Sequence, residues 1–280
     1  MTHSREVFTV DEKSQWPDAF LGQYANDDVR FTNVTVRIGF ESLAASVVHL
    51  YAYAAVFIFG HADKAKAMAG RLRDVIANPM NPTGLWLEPA HLRALLDAQH
   101  EDSVLCLDEA YTEYARGDDY QSAMELLAEH RKPLLILRTF SKAHGLAGLR
   151  IGYGVANDAE LKRGMDLVRT PFNANAVGQA AATASLHAPE SVDRAVVETL
   201  RERDRMGHAL TSMGLRVLPS KGNFLFVDTG RPSTDVAAAL LDRAVIVKPW
   251  KQDGFETFLR VSVGLGWEND QFLEAMARIV

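Results

Sequence analysis

The chain has 280 residues, of which 48% are hydrophobic and 24% charged, as in an ordinary globular protein. This length allows one large domain, or a large and a small one, with ample core. A formal net charge of -6 argues against nucleic acid as the main partner. The single cysteine, Cys106, excludes an internal disulfide and favours a reducing compartment, so we expect a cytoplasmic protein.

Residues 1–75 carry few informative patterns. Apolar and polar residues alternate from Val34 to Ile38, which predicts a strand, and Ala62 to Ile76 has the pattern of a helix with basic residues outside. Leu43 to Gly60 is almost wholly apolar and just long enough to span a membrane. Three aromatic residues and the lack of a basic cluster at its start favour a buried helix or strand pair instead. We expect no membrane segment.

The next segment contains two Asn-Pro steps and a glycine, in the order Asn78-Pro79-Met80-Asn81-Pro82-Thr83-Gly84. Each proline fixes its own φ and keeps its predecessor out of the helical region, so a tight turn is predicted. An asparagine held in such a turn, here Asn81, can present its amide to a ligand. A rigid loop with no ligand is the alternative. A helix is predicted over Pro89 to Gln99, with Leu92, Leu95 and Leu96 on one face.

Two apolar runs end in residues that can carry chemistry. Ser103 to Leu107 predicts a buried parallel strand that ends at Asp108-Glu109-Ala110-Tyr111. Leu134 to Leu137 predicts a second strand, which leads through Thr139 and Ser141 to Lys142, and Arg150 follows a glycine-rich loop. Because ligands bind beyond the carboxyl ends of strands in α/β sheets, Asp108 and Lys142 are expected to share one site. A helix cap for Asp108 and a surface position for Lys142 remain the simpler alternatives.

The rest of the chain predicts a second, smaller α/β unit. A helix over Ala176 to Leu186 still precedes this unit, and its own helices are predicted over Pro189 to Met213, Ser233 to Arg243 and Glu268 to Ile279. Strands are predicted over Leu215 to Leu218, Phe224 to Val227, Val245 to Val247 and Phe258 to Val263.

The motifs in this order resemble the class I/II aminotransferases, which are fold-type-I enzymes that use pyridoxal 5'-phosphate (PLP). The likeness is greatest to the histidinol-phosphate aminotransferase group. It rests on Arg138-Thr139-Phe140-Ser141-Lys142-Ala143 with the Gly-Leu-Ala-Gly-Leu-Arg-Ile-Gly-Tyr run up to Tyr153, on Pro171-Phe172-Asn173-Ala174-Asn175, and on Leu259-Arg260-Val261-Ser262-Val263-Gly264 with Glu268-Asn269. It extends from about Ile76 to Val280.

The resemblance implies a role for each residue that contacts the cofactor ring. Lys142 would hold PLP as an imine and then move the proton of the substrate α-carbon. Asp108 would pair with the pyridinium nitrogen and keep it protonated. Asn81 and Tyr111 would donate hydrogen bonds to the phenolic oxygen of the ring.

The resemblance also implies the groups that bind anions. Ser141 and Arg150, with Thr139, would hold the cofactor phosphate. Arg260 would form a bidentate pair with the substrate carboxylate. Asn175 would support substrate placement. No metal site is expected.

The expected fold is therefore α/β, of the fold-type-I PLP-transferase kind. Residues 1–187 would form the large domain on a mostly parallel sheet, with residues 1–75 atypical, and residues 188–280 the small domain. The expected protein is a homodimeric transaminase that moves an amino group between an amino acid or amino alcohol phosphate and a 2-oxo acid such as 2-oxoglutarate, in histidine biosynthesis.

The N-terminal region departs from the family pattern. We find no glycine-rich phosphate loop and no ring-stacking aromatic in residues 1–75. Incomplete phosphate binding would impair activity. Two alternatives therefore stay open: a PLP-dependent decarboxylase of the threonine-phosphate type, and a truncated non-catalytic paralogue.

Overall fold

The structure is a computed structural model that describes residues 5–8, 30–36, 75–101, 103–159, 161–162 and 173–280. It divides into two compact units. The first unit takes in the described residues up to Asn78, with Leu87–Ala110 and Gly117–Val192. The second unit contains Asp193–Val280 and two short stretches from earlier in the chain, Pro79–Trp86 and Tyr111–Arg116. The domain division predicted at residues 187 and 188 stays a prediction.

The first unit is built on a six-stranded sheet. Its strands are β1 (Arg5–Phe8), β2 (Arg30–Val36), β3 (Val75–Ala77), β4 (Leu105–Asp108), β5 (Leu134–Thr139) and β6 (Gly152–Ala156). They lie in the order β1-β2-β6-β5-β4-β3. The sheet is mixed, because β3, β4 and β5 are parallel while β6, β2 and β1 each run antiparallel to their neighbours. The expected α/β class is confirmed, but among the described strands the sheet is mixed and not mostly parallel, since three of its five pairings are antiparallel.

Side chains of β4 and β5 are buried on both faces of this sheet. Leu107 and Ile136 are fully buried, while Cys106 and Leu135 belong to a separate buried cluster. Burial on both faces explains why these strands are continuous apolar runs in the sequence. Cys106 has a buried thiol.

Two helices of the first unit begin and end where sequence signals favour it. α1 (Pro89–Asp97) has proline in its first turn, where no intrahelical bond is lost, and it buries Leu92 and Leu96, one turn apart. α2 (Ala176–Leu186) begins at Asn175, whose side chain caps it. Both helices confirm the prediction.

The N-terminal predictions fare less well. The strand expected from Val34 overlaps β2, and Ile38 lies outside the described residues. The helix expected up to Ile76 is wrong at its end, because β3 occupies Val75–Ala77 and pairs with β4. This segment is a strand because it pairs with β4, about 30 residues further on, and strand formation depends on such neighbours. Residues 62–74 and the apolar segment 43–60 lie outside the described part of the chain.

The second unit combines a small sheet with three helices. Its elements are α3 (Pro189–Ser212), β7 (Arg216–Val217), β8 (Phe224–Asp228), α4 (Ser233–Leu241), β9 (Lys248–Pro249), β10 (Phe258–Ser262) and α5 (Gly266–Ala277). The strands form an antiparallel sheet in the order β7-β8-β10-β9. Its core is a cluster that includes Met206, Leu210, Val227, Leu259 and Met276.

One strand prediction in this unit is wrong. Val245–Val247 is not a strand, and pairing with β10 begins only at Lys248. Val245 is buried in the core, but Ile246 is 85% exposed, so this apolar run is not a buried strand. In the part of the chain that the structure describes, no helix is long and apolar enough to cross a membrane.

Candidate active site

Asp108 and Lys142 emerge at the carboxyl ends of adjacent parallel strands. Asp108 is the last residue of β4 and pairs in register with Leu137 of β5, which leads to Lys142. The Ala110 N–H donates to Asp108 Oδ1 at 3.0 Å. The pKa of Asp108 is raised, because its burial outweighs the Ala110 hydrogen bond and the charge of Lys142, which both lower it. The two side chains are thus close enough for their charges to interact.

A hydroxyl and a guanidinium lie side by side just beyond β5. Arg150 Nη1 donates to Ser141 Oγ at 3.3 Å and to Ala147 O at 2.7 Å. The Ser141 N–H donates to Thr139 Oγ1 at 3.0 Å, which orients the turn. Arg150 is exposed and takes the left-handed conformation, with φ of 52°. Such donors suit a phosphate or another anion.

Asn175 supports the segment that carries Arg150. Its Oδ1 accepts from the Gly178 N–H at 2.6 Å, which caps α2, and its Nδ2 donates to Leu149 O at 2.9 Å. The amide therefore ties the start of α2 to the residue before Arg150. A role in substrate placement stays a prediction.

In the second unit, Arg260 of β10 lies near two other predicted residues, Asn81 and Tyr111. Its Nη1 donates to Asn81 Oδ1 at 2.8 Å. Its guanidinium carbon lies 5.7 Å from the centre of the Phe224 ring, against which Tyr111 packs edge-on with ring centres 5.2 Å apart. Arg260 Nε is buried and has no hydrogen-bond partner among the described residues. A buried donor without a partner is costly, so a bound anion would stabilise this arginine.

Sequence reasoning missed two features of the first unit that lie next to Asp108 or Lys142 in the chain. Glu109 is fully buried and pairs with Arg138, 29 residues further on. His144, two residues after Lys142, contacts Ser185 Oγ through Nδ1 at 2.7 Å. Burial and the charge of Arg138 lower the pKa of His144 to about 4. Each charged or imidazole group stands next to a predicted site residue, but its partner is distant in sequence and carries no local signal.

This arrangement provides a carboxylate and a lysine that are close enough for their charges to interact, and a hydroxyl and arginine pair that can bind an anion. The chain belongs to the class I and II aminotransferase family: the model of the family "Aminotransferase class I and II" matches residues 63–279. The fold-type-I resemblance is therefore confirmed.

Within this family the chain is similar to enzymes named histidinol-phosphate aminotransferase. It is 48% identical over 206 residues to histidinol-phosphate aminotransferase 1 of Mesorhizobium japonicum, covering 74% of this chain and 56% of that protein. It is 49% identical over 205 residues to histidinol-phosphate aminotransferase 3 of Rhizobium meliloti, covering 73% and 55%. The chain thus spans about half the length of these relatives.

A solved structure shows the same fold. The histidinol-phosphate aminotransferase from Sinorhizobium meliloti, in complex with pyridoxal-5'-phosphate, superimposes with a TM-score of 0.69 at 30% identity. The match covers 78% of this chain and 61% of that one.

Proposed function

We propose that the chain is a PLP-dependent aminotransferase that exchanges an amino group between histidinol phosphate, or a similar amino acid or amino alcohol phosphate, and 2-oxoglutarate. The observation that carries this proposal is the placement of Asp108 and Lys142 at neighbouring strand ends, with Ser141 directly before Lys142 and hydrogen-bonded by Arg150. Family membership and the names of the relatives support it.

The side chains fit the groups of PLP. Burial disfavours the charge of Asp108, so a second cation such as a protonated ring nitrogen would stabilise its carboxylate. Ser141, Arg150 and Thr139 offer the hydroxyl and guanidinium donors that a phosphate needs. Lys142 supplies the amine that an aldehyde requires. The residues present therefore suit the cofactor.

Each residue has a defined task in the proposed reaction. When bound, PLP supplies an aldehyde for covalent attachment and a ring that accepts electrons from the substrate α-carbon. Lys142 Nζ would take the proton from that carbon and give it to the cofactor. Asp108 would pair with the ring nitrogen and keep it protonated. Asn81 and Tyr111 are assigned the ring oxygen, as the resemblance implies.

Arg260 is assigned the anionic end of the substrate. Its guanidinium suits both a carboxylate and a phosphate. Its buried Nε, without a partner among the described residues, would gain a hydrogen bond when an anion binds. We also propose, from the family resemblance, that the protein works as a homodimer in the cytoplasm.

PLP binding tests the proposal first. After excess PLP has been removed, we expect the wild-type chain to keep a yellow imine band and Lys142→Ala to lose it, because Lys142 is the proposed amine partner of the aldehyde. Lys251→Ala, at an exposed position, is the matched control and should stay yellow. A wild-type chain that binds no PLP in excess would refute the proposal, and a non-catalytic paralogue would then be favoured.

A donor screen on the PLP-loaded protein tests the substrate. Histidinol phosphate should remove the yellow colour, and 2-oxoglutarate added afterwards should restore it. Arg260→Lys should raise KM for both substrates more than it lowers kcat, because it loses the two-pronged grip on an anion. Carbon dioxide release without a 2-oxo acid would instead indicate the decarboxylase alternative.

A further inference from the structure

A buried ion pair lies directly beside Asp108. Arg138 donates to Glu109 Oε2 twice, from Nε at 3.0 Å and from Nη2 at 2.7 Å. The Glu109 side chain is fully buried and the Arg138 side chain is only 11% exposed. Such a pair is held in one geometry, unlike the mobile pairs of a protein surface.

The remaining acceptor positions of Glu109 are also filled. The Ser122 hydroxyl donates to Oε2 at 2.7 Å, and the Ala123 N–H donates to Oε1 at 2.7 Å. Arg138 Nη2 further donates to Ser122 Oγ at 2.9 Å. The groups that contact the Glu109 carboxyl, from Arg138, Ser122 and Ala123, are all donors, which is the pattern that an ionised carboxylate accepts. Glu109 is therefore negatively charged in the fold.

The pair connects the two strand ends that carry the proposed catalytic groups. Glu109 follows Asp108 at the end of β4, and its N–H donates to Leu137 O of β5 at 2.9 Å. Arg138 lies in β5, next to its last residue, and the chain reaches Lys142 four residues later. The ion pair thus crosses from the Asp108 strand to the Lys142 strand.

The charges on the pair also act on their neighbours. The charge of Glu109 raises the pKa of Asp108, and the charge of Arg138 lowers the pKa of His144. Glu109 without Arg138 would be a second buried negative charge beside Asp108, and Arg138 without Glu109 an unbalanced positive charge near His144. Together they add no net charge next to the site.

We propose that Glu109 and Arg138 are positioning residues of the site, which fix the end of the Asp108 strand to the end of the Lys142 strand and balance the charge beside Asp108. This inference rests on the proposed function, in which Asp108 must be ionised and aligned with Lys142. It assigns the pair no contact with substrate.

The first experiment follows the titration of Asp108 in the PLP-free protein. Carbon-13-labelled aspartate gives the NMR signal, and Asp108→Asn identifies it. In Glu109→Gln the midpoint should move to lower pH, because a negative charge is lost and Arg138 is uncovered. In Arg138→Met the Asp108 midpoint should move to higher pH, because the negative charge of Glu109 is no longer balanced. The double variant should return close to the wild-type midpoint.

The control is the exposed ion pair between Lys132 and Glu101, at 3.5 Å. Glu101→Gln also removes one negative charge, but at the surface, so the Asp108 midpoint should not move. If Glu109→Gln and Arg138→Met leave the midpoint where it is in wild type, or shift it in the same direction, the charge-balancing role is wrong.

Arg138→Lys tests the alignment role with a variant that keeps the positive charge. It loses the second hydrogen bond to Glu109, so PLP affinity should fall about tenfold while the Asp108 midpoint stays in place. Unchanged PLP affinity would overturn the alignment role. If wild type takes up no PLP, the proposed function fails, and the PLP-free titration still decides the charge-balancing role.

Discussion

Replacing Glu202 by alanine is expected to loosen the strand that carries Arg260. Glu202 Oε2 accepts from Asn269 Nδ2 at 2.8 Å and from Arg205 Nη2 at 2.7 Å, and the carboxylate also pairs with Arg201 at 2.8 Å. Asn269 in turn binds both backbone groups of Gly264, just beyond β10, at 2.9 and 3.0 Å. Glu202 on α3 therefore holds the start of α5 and the end of β10 together.

The magnitude follows from the exposure of each partner. Arg201 and Arg205 are 60% and 38% exposed, so water replaces the lost carboxylate and we assign them nothing. The Asn269 amide is buried and loses a charge-assisted hydrogen bond. The free energy of unfolding should fall by about 2 kcal/mol, which lowers Tm by about 4–8 °C.

Thermal unfolding of the full chain, followed by circular dichroism, measures this loss. Glu198→Ala is the matched control, because exposed Glu198 lies one turn earlier on α3 and also pairs with Arg201. Its Tm should equal that of wild type. Equal losses in both variants would show that the buried hydrogen bond to Asn269 contributes nothing, which would refute the reasoning.

Two further predictions concern pH and backbone strain. The pKa of His144 is lowered from 6.5 to about 4 in the folded chain, so the unfolded chain binds this proton first as the pH is lowered. Wild-type stability should therefore fall as the pH is lowered from 6.5 to about 4. Urea unfolding midpoints measured against pH should lose this part of the slope in His144→Gln; an unchanged slope contradicts the prediction. Gly84 has φ of +79°, and an added Cβ would lie 2.8 Å from the Ser220 Cα, so Gly84→Ala should lower Tm. Gly214→Ala, at φ of +85° with no atom within 4 Å, carries the strain without the clash and should lower Tm less.

Local signals predicted several elements well. The bounds of α2 are predicted at both ends because Asn175 caps its start and small residues continue it without a break. The ends of β4 and β5 are marked by the switch from apolar to polar residues, at Asp108 and near Lys142. These features depend on neighbours in sequence, so the sequence contains the information.

The failures involve partners distant in sequence. The end of the helix predicted up to Ile76 is overridden by pairing with β4, and Val245–Val247 fails because its pairing begins three residues later. The pair between Glu109 and Arg138 depends on two strands lying side by side. Neither charge pattern nor periodicity specifies which strands are neighbours, so these features could not be read from one sequence.

The second unit is assembled from three separate stretches of the chain, with Pro79–Trp86 and Tyr111–Arg116 joining Asp193–Val280. Expression of residues 193–280 alone would leave Phe224 without the Tyr111 ring. It would also leave Lys221 without Arg116 O and Gly84 O, which accept from its Nζ and its backbone N–H. A dissection of this protein should therefore keep both early stretches, and during synthesis this unit can complete its packing only after most of the chain has left the ribosome.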